Sequence, residues 1–229
     1  MKQLHTLGIL ALAALLTAGV AFAGGPKINE IRTDQPSTDN DEYFEITGTG
    51  SSSLDGLTYV VIGDGTGGSG VIEAVVDLTG QTIPADGFFV AAEGSFTFGT
   101  ADFTTTLNFE NSDNTTHLLV QGFSGSNGDD LDTNDDCVLD TTPWTSVVDG
   151  VALIEEANPP ASTECHYGTD LGVDVVGPDG SFAPGHIGRD PDSTGPWIIG
   201  DFDQTAGTDS PGASNVGVIP VELMSFEID

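Results

Sequence analysis

Positive charge is nearly missing from this chain: 4 Lys and Arg stand against 36 Asp and Glu among 229 residues, a formal net charge of −32. Such an imbalance disfavours the backbone of a nucleic acid or an anionic membrane surface as a direct partner, because both would be repelled. Cations are the natural counter-charge. Long apolar runs are missing after the N-terminus, and none approaches the roughly 20 residues that cross a bilayer, so no transmembrane span is expected. Helical periodicity is also missing, which excludes a helical bundle. Cysteine occurs only at Cys137 and Cys165, too few for a disulfide scaffold, and no His or Cys pair has zinc spacing. The glycine run Gly63-Asp64-Gly65-Thr66-Gly67-Gly68 lacks the Lys and following helix of a phosphate cradle and reads as a flexible loop. No Gly-x-Ser-x-Gly elbow occurs. The mature histidines, His117, His166 and His186, are scattered and read as structural or exposed.

What is present begins with Met1-Lys2, an apolar run from Leu7 to Val20, and Ala21-Phe22-Ala23. A positive start, a short apolar stretch and a small-x-small site predict a cleaved secretory signal peptide over residues 1–23. The mature protein is therefore expected to be secreted, extracellular or at the cell surface. In such an oxidising compartment Cys137 and Cys165 are expected to pair, closing a loop that contributes roughly 3 kcal/mol.

Short runs rich in β-branched and aromatic residues recur at 27–33, 42–47, 57–62, 71–78, 87–92, 104–109, 117–123, 147–154 and 216–226. Gly, Ser, Asp, Asn and Pro clusters separate them, the pattern of a sandwich or barrel of many short strands. In Glu42-Tyr43-Phe44-Glu45-Ile46 the alternation puts Phe44 and Ile46 on a core face and Tyr43 with the acids on the other. Tyr59-Val60-Val61-Ile62 is continuously apolar, as for a strand covered on both sides. Residues 158–209 read as a turn-rich excursion with weak strand signals at 173–176 and 197–199.

The densest charge lies in Gly128-Asp129-Asp130-Leu131-Asp132-Thr133-Asn134-Asp135-Asp136-Cys137-Val138-Leu139-Asp140. From Asp132 it reads Asp-x-Asn-x-Asp-x-x-x-Asp, a register of alternating oxygens that lets one chain bend around Ca²⁺. Asp132, Asn134 and Asp136 take the first, third and fifth positions, the Val138 carbonyl the seventh, and Asp140 the ninth. Two positions depart from the pattern. Cys137 stands where a sharp turn favours Gly, and Pro143 stands where a bidentate acid is expected. Asp149, Glu155 or Glu156 is a remote substitute for that acid, and Asp129 or Asp130 serves if the register slides. Hard oxygens favour Ca²⁺ over Zn²⁺ as the bound ion. Trp144 reads as an anchor tying this loop to the body. Arg189, a rare cation, reads as a structural ion pair or a ligand of loop carbonyls.

Several motifs in order carry a family resemblance: Ile28-Asn29-Glu30-Ile31, Asp41-Glu42-Tyr43-Phe44-Glu45-Ile46, Leu54-Asp55-Gly56-Leu57, Ile83-Pro84-Ala85-Asp86-Gly87, Gly188-Arg189-Asp190-Pro191-Asp192 and Ser210-Pro211-Gly212-Ala213-Ser214-Asn215. The series resembles the lamin-tail domain family of exported bacterial proteins. That resemblance implies an all-β, immunoglobulin-like antiparallel β-sandwich over residues 24–215, used as an accessory, binding or surface module, with an acidic loop inserted at about 124–145. The Asp-rich loop is similar to those of thrombospondin type 3 repeats and dockerins. Residues 216–229 read as a final strand, or as a remnant resembling the start of a type IX sorting segment. The expectation is a calcium-stabilised, non-enzymatic module with an extracellular ligand of unknown identity. The alternatives are a metal-assisted extracellular hydrolase acting on phosphoester or polysaccharide, and a purely structural salt-adapted surface protein.

Overall fold

Strands whose apolar side chains alternate can bury one face each by stacking as two sheets, and the chain does so. The computed structural model describes residues 24–156 and 164–215. Its strands are β1 (Lys27–Arg32), β2 (Tyr43–Thr47), β3 (Leu57–Gly65), β4 (Gly68–Asp77), β5 (Phe88–Ala92), β6 (Phe103–Thr104), β7 (Thr115–Gln121), β8 (Ser146–Leu153), β9 (Asp174–Val176), β10 (His186–Arg189) and β11 (Trp197–Ile199), with one short helix, α1 (Gly168–Leu171). The first sheet runs β11-β10-β1-β2-β5-β6 and the second β4-β3-β7-β8-β9. Pairing is antiparallel except at two places, β5 with β6 and β8 with β9. The protein is an all-β sandwich.

Between the sheets lies the main core, with Phe44 and Ile46 from β2, Tyr59 and Val61 from β3, and Leu119 and Val151 from β7 and β8. Phe44 stacks on Tyr59 with ring centroids 3.8 Å apart. The Tyr59 hydroxyl meets His117 Nδ1 at 2.8 Å and Thr115 Oγ1 meets Nε2 at 3.1 Å, so this buried imidazole has both nitrogens satisfied. Burial pushes its pKa down to about 3 and keeps it neutral. His117 is structural, as expected.

Both faces of each sheet's centre are covered, and this corrects the one-sided reading of β2. Tyr43, Glu45 and Thr47 are as buried as Phe44 and Ile46. The segment 209–215 supplies partners for two of them, since the Tyr43 hydroxyl donates to Asp209 (3.1 Å) and Glu45 accepts from the Gly212 N–H (2.7 Å), while Asn29 Nδ2 of β1 gives Glu45 a second donor at 2.8 Å. On the second sheet Val60, Ile62, Leu118 and Val120 face outward into a second core closed by Leu131, Tyr167 and Cys165. The continuous apolar run at 59–62 has its explanation there: alternate residues feed two cores.

Other expectations need correction. Residues 63–68 are not a flexible loop but the tip of the β3–β4 hairpin. Of 104–109 only Thr104 is in a strand; Leu107 and Phe109 enter the core from irregular backbone, where the Phe109 N–H is held by the Glu42 carboxylate at 3.0 Å. The excursion after residue 158 contributes β10, which pairs between β1 and β11. The expected signal peptide and the expected strand at 216–226 lie outside the described residues.

Candidate functional site

The acidic loop is seated on glycine. Its backbone runs along the free edge of β4: Gly128 N–H donates to the Ile72 carbonyl (2.7 Å), Ile72 N–H to Asp129 (2.9 Å) and Leu131 N–H to Gly70 (2.9 Å). Asp135 then reaches the hairpin, accepting from the Ser69 N–H at 2.9 Å. A side chain at Gly68 would collide with the Asp135 carboxylate and one at Gly70 with Asp132, and both glycines have positive φ. The glycine run and the acidic loop are thus complementary surfaces. Leu131 is buried and Trp144 packs partly buried against the same outer core, the anchoring role expected for it.

Cys137 and Cys165 form the expected disulfide, with Cα atoms 5.2 Å apart across 28 positions. Cys137 takes φ 65°, the left-handed turn expected of Gly at that place. The bond pins the loop to the start of the segment that carries Tyr167. Reduction, or a Cys137→Ser/Cys165→Ser double variant, is expected to lower stability by about 3 kcal/mol in denaturant titrations; an unchanged midpoint would show that the packing of Leu131 alone holds the loop.

The four expected side-chain ligands can now be placed, while the fifth expected ligand, the carbonyl of the exposed Val138, takes part in none of their contacts. Asp132 is fully buried and accepts from Asp136 N–H (3.2 Å), Cys137 N–H (2.9 Å) and the Tyr167 hydroxyl (2.9 Å). Asn134 Oδ1 shares the Asp136 N–H at 3.2 Å. Asp136 accepts from Val138 N–H (3.1 Å) and Asn134 Nδ2 (3.3 Å). Asp140 is tied to Thr133, accepting from its N–H at 3.0 Å and its hydroxyl at 2.6 Å. The structure therefore draws Asp132, Asn134 and Asp136 into one turn, with Asp140 closing it across Thr133. A carboxylate has about four lone-pair sites, so these contacts leave acceptor capacity on every one of them. The remote acid Asp149 is engaged elsewhere, by Lys27 (3.5 Å), the Ile28 N–H (2.9 Å) and Arg189 (3.3 Å).

A tighter carboxylate group, which the sequence reading missed, lies on the same hairpin. Asp64 near the end of β3, Glu73 on β4 and Glu110 before β7 bring ligand oxygens within 4.8 Å of one another. Asp113 adds its charge to the group, and Glu164 lies next to Asp113. Asn114 builds it: its amide donates to the Glu164 carbonyl at 2.6 Å and its oxygen accepts from the Glu155 N–H at 2.6 Å. The Glu73 carboxylate lies across Gly63, in space that any side chain there would fill. Glu73, Glu110 and Glu164 each turn one oxygen, Oε2, into a shielded position with no hydrogen-bond donor. Burial, reinforced by the Glu110 charge, pushes Glu73 up to about 9. Burial and the neighbouring Asp113 push Glu164 up to about 7. Carboxylates held this close must share either protons or a cation. The residues come from positions 64, 73, 110, 113 and 164, so no local motif announces them.

A third group, Glu30, His186 and Asp209, is close enough to hold an ion, but its members are already engaged by one another and by Arg32. His186 Nε2 lies 2.7 Å from Glu30 Oε1, and Arg32 forks onto both oxygens of Asp209 at 2.5 Å. Arg189 bonds Asp149, the Ile28 carbonyl (3.0 Å) and the Gly195 carbonyl (3.1 Å), and its guanidinium stacks 4.2 Å over Trp197. It is the structural ion pair and carbonyl ligand expected of it. All three described cations, Lys27, Arg32 and Arg189, thus pair with Asp149 or Asp209. None of these pairs involves the acidic loop or the hairpin cluster. No protein-family model matches the chain, and neither characterised proteins nor solved structures give a match.

Proposed function

We propose that this chain is an exported, non-enzymatic binding module of the cell surface or extracellular space, stabilised by Ca²⁺. One observation carries the reading: the ligand oxygens of Asp64, Glu73 and Glu110 converge on the hairpin of the second sheet, the acidic loop folds against that same hairpin, and every described Lys and Arg is paired elsewhere. Asp132, Asn134, Asp136, the Val138 carbonyl and Asp140 form the loop site. Asp64, Glu73 and Glu110 form a second one. All are hard oxygen donors, which suit Ca²⁺ better than Zn²⁺. The left-handed turn at Cys137, fixed by its disulfide, stands in for the glycine such loops use.

The lamin-tail likeness supports the module part of the reading. Its separated motifs meet in space: Asn29 Nδ2 donates to Asp192 (3.1 Å), Asn215 Nδ2 donates to the carbonyls of Asn29 (3.2 Å) and Arg189 (3.1 Å), and the Ser210 N–H donates to Glu30 (2.9 Å). Residues at both ends of the described chain thus close one polar lattice over the first sheet.

Calorimetric Ca²⁺ titration of the mature protein tests the metal assignment. Two classes of site are expected, with Asp136→Ala weakening one and Glu110→Gln the other by at least about tenfold each, and with Mg²⁺ a poor substitute because it demands a tighter octahedron. Asp132→Ala is the wrong probe, since it would strand the buried Tyr167 hydroxyl and two N–H groups. Absence of binding heat in the wild type removes Ca²⁺ from the assignment.

A further inference from the structure

The most exposed large apolar side chain among the described residues is Phe182, at 68%, and Phe202 follows Val138 at 45%. Both line one cleft of about 380 Å³, with Asp34 and Asp179 on its walls. Phe202 also borders an adjoining cleft of about 350 Å³ that adds Asp201. Isolated exposed apolar residues need no explanation, but two aromatic rings on one concave surface do.

The surface is built, not incidental. Phe182 stands at a tight turn closed by two backbone bonds with Asp179, at 2.8 and 3.2 Å. Phe202 lies against the bare backbone of Gly185, where an added side chain would meet its ring. Beneath them the buried Arg32 guanidinium donates to the carbonyls of Asp34 (2.8 Å), Asp201 (3.0 Å) and Phe202 (3.1 Å). It therefore locks the pieces of the wall together. Its charge is matched by Asp209, and Asp34, Asp179 and Asp201, which line the two clefts, form no salt bridge among the described residues. Burial pushes the Asp34 carboxyl up, against the opposing effect of hydrogen bonds from Gln35 and Asn111 and of the Arg32 charge.

We infer that this cleft receives an arginine side chain presented by a basic segment of a partner protein. The inference deepens the binding-module reading and rests on it. A planar guanidinium can lie on the Phe202 ring while its edge N–H groups reach carboxylates, a combination that a compact ammonium cannot match. The fold already uses the same pairing internally, where Arg189 stacks on Trp197 and forks toward Asp149. A second copy of this chain cannot supply the guest, because its only arginines, Arg32 and Arg189, are both buried.

The test is fluorescence anisotropy of a labelled Gly-Ser-Arg-Ser-Gly peptide at physiological ionic strength and millimolar Ca²⁺, beside the same peptide carrying Lys or citrulline. Saturable binding of the Arg peptide is expected, weakened at least about tenfold in Phe182→Ala and in Phe202→Ala, with Lys weaker and citrulline absent. Unchanged affinity in both Phe variants, equal binding of the Lys peptide, or no binding would each overturn the inference. The Ca²⁺-induced rise in melting temperature is recorded for every variant. Its persistence beside a lost peptide signal separates failure of the cleft from failure of the Ca²⁺-stabilised module.

Discussion

Arg32→Met is expected to lower the unfolding free energy by about 3–5 kcal/mol, the usual consequence of removing one partner of a buried ion pair. For a domain near this size that corresponds to a fall of roughly 6–20 °C in melting temperature. The expectation rests on complete use of the side chain. Arg32 is fully buried, and it makes five bonds: two to Asp209, and one each to the carbonyls of Asp34, Asp201 and Phe202. A guanidinium has five N–H groups, so none is idle. Methionine matches much of the apolar volume but strands Asp209, which keeps only the Tyr43 hydroxyl at 3.1 Å and the more distant His186 Nε2 at 3.9 Å. Arg32→Lys should recover little, because one ammonium cannot reach both a carboxylate fork and three carbonyls. Adding Asp209→Asn to Arg32→Met should recover part of the loss by removing the stranded charge. Denaturant unfolding followed by tryptophan fluorescence measures all three variants. A loss below about 1 kcal/mol for Arg32→Met would mean that water replaces the guanidinium without strain, and the platform beneath Phe202 would lose its explanation.

Why Arg32 was silent in the sequence applies to much of the first sheet. Strand signals follow the clustering of apolar residues, and β2, β3, β4, β5, β7 and β8 are legible because each buries at least two of Val, Ile, Leu, Phe and Tyr. β10 was missed because it is only His186-Ile187-Gly188-Arg189: its His and Arg are buried through partners from Glu30, Asp149, Ile28 and Gly195, residues between 6 and 161 positions away. A polar residue buried by a distant partner looks identical, in one dimension, to a residue in solvent. Glu45 misled in the same way. Its alternation is that of a solvent face, yet the chain returns after 167 positions to cover it with the Gly212 N–H.

The acidic loop was legible because its oxygens recur at a two-residue interval, and the disulfide because only two cysteines exist. The hairpin cluster was not, because its members are assembled by register between strands. The glycine run at 63–70 was the available signal. Besides the positive φ of Gly68 and Gly70, these glycines supply a bare surface on which Glu73, Asp132 and Asp135 lie.

Ca²⁺ is expected to reverse the pH dependence of stability. In metal-free protein burial raises Glu73 from 4.5 to about 9, and the folded chain holds a proton that the unfolded chain releases between those values. Stability from this group is therefore fully present below about pH 4.5 and is lost as pH rises through about 9. Glu164, raised to about 7, acts in the same direction over a narrower window. With chelator present, the melting temperature should thus fall as the pH is taken from 5 towards 9. Bound Ca²⁺ requires the ionised carboxylates, so protons become its competitors and this contribution changes sign. At neutral pH and Ca²⁺ about a thousandfold above its dissociation constant, one site adds roughly 4 kcal/mol, or about 8–16 °C. Glu73→Gln separates the causes: a neutral amide mimics the protonated acid, so it should flatten the chelator curve while weakening the Ca²⁺ response of the hairpin. Because Asp55, Asp77 and Asp203 are lowered by local hydrogen bonds in both conditions, their effect cancels in the difference between the two curves. Parallel curves with and without Ca²⁺ would mean that the shielded Oε2 atoms of Glu73 and Glu110 are met by shared protons alone. Crossing curves would assign them to the cation.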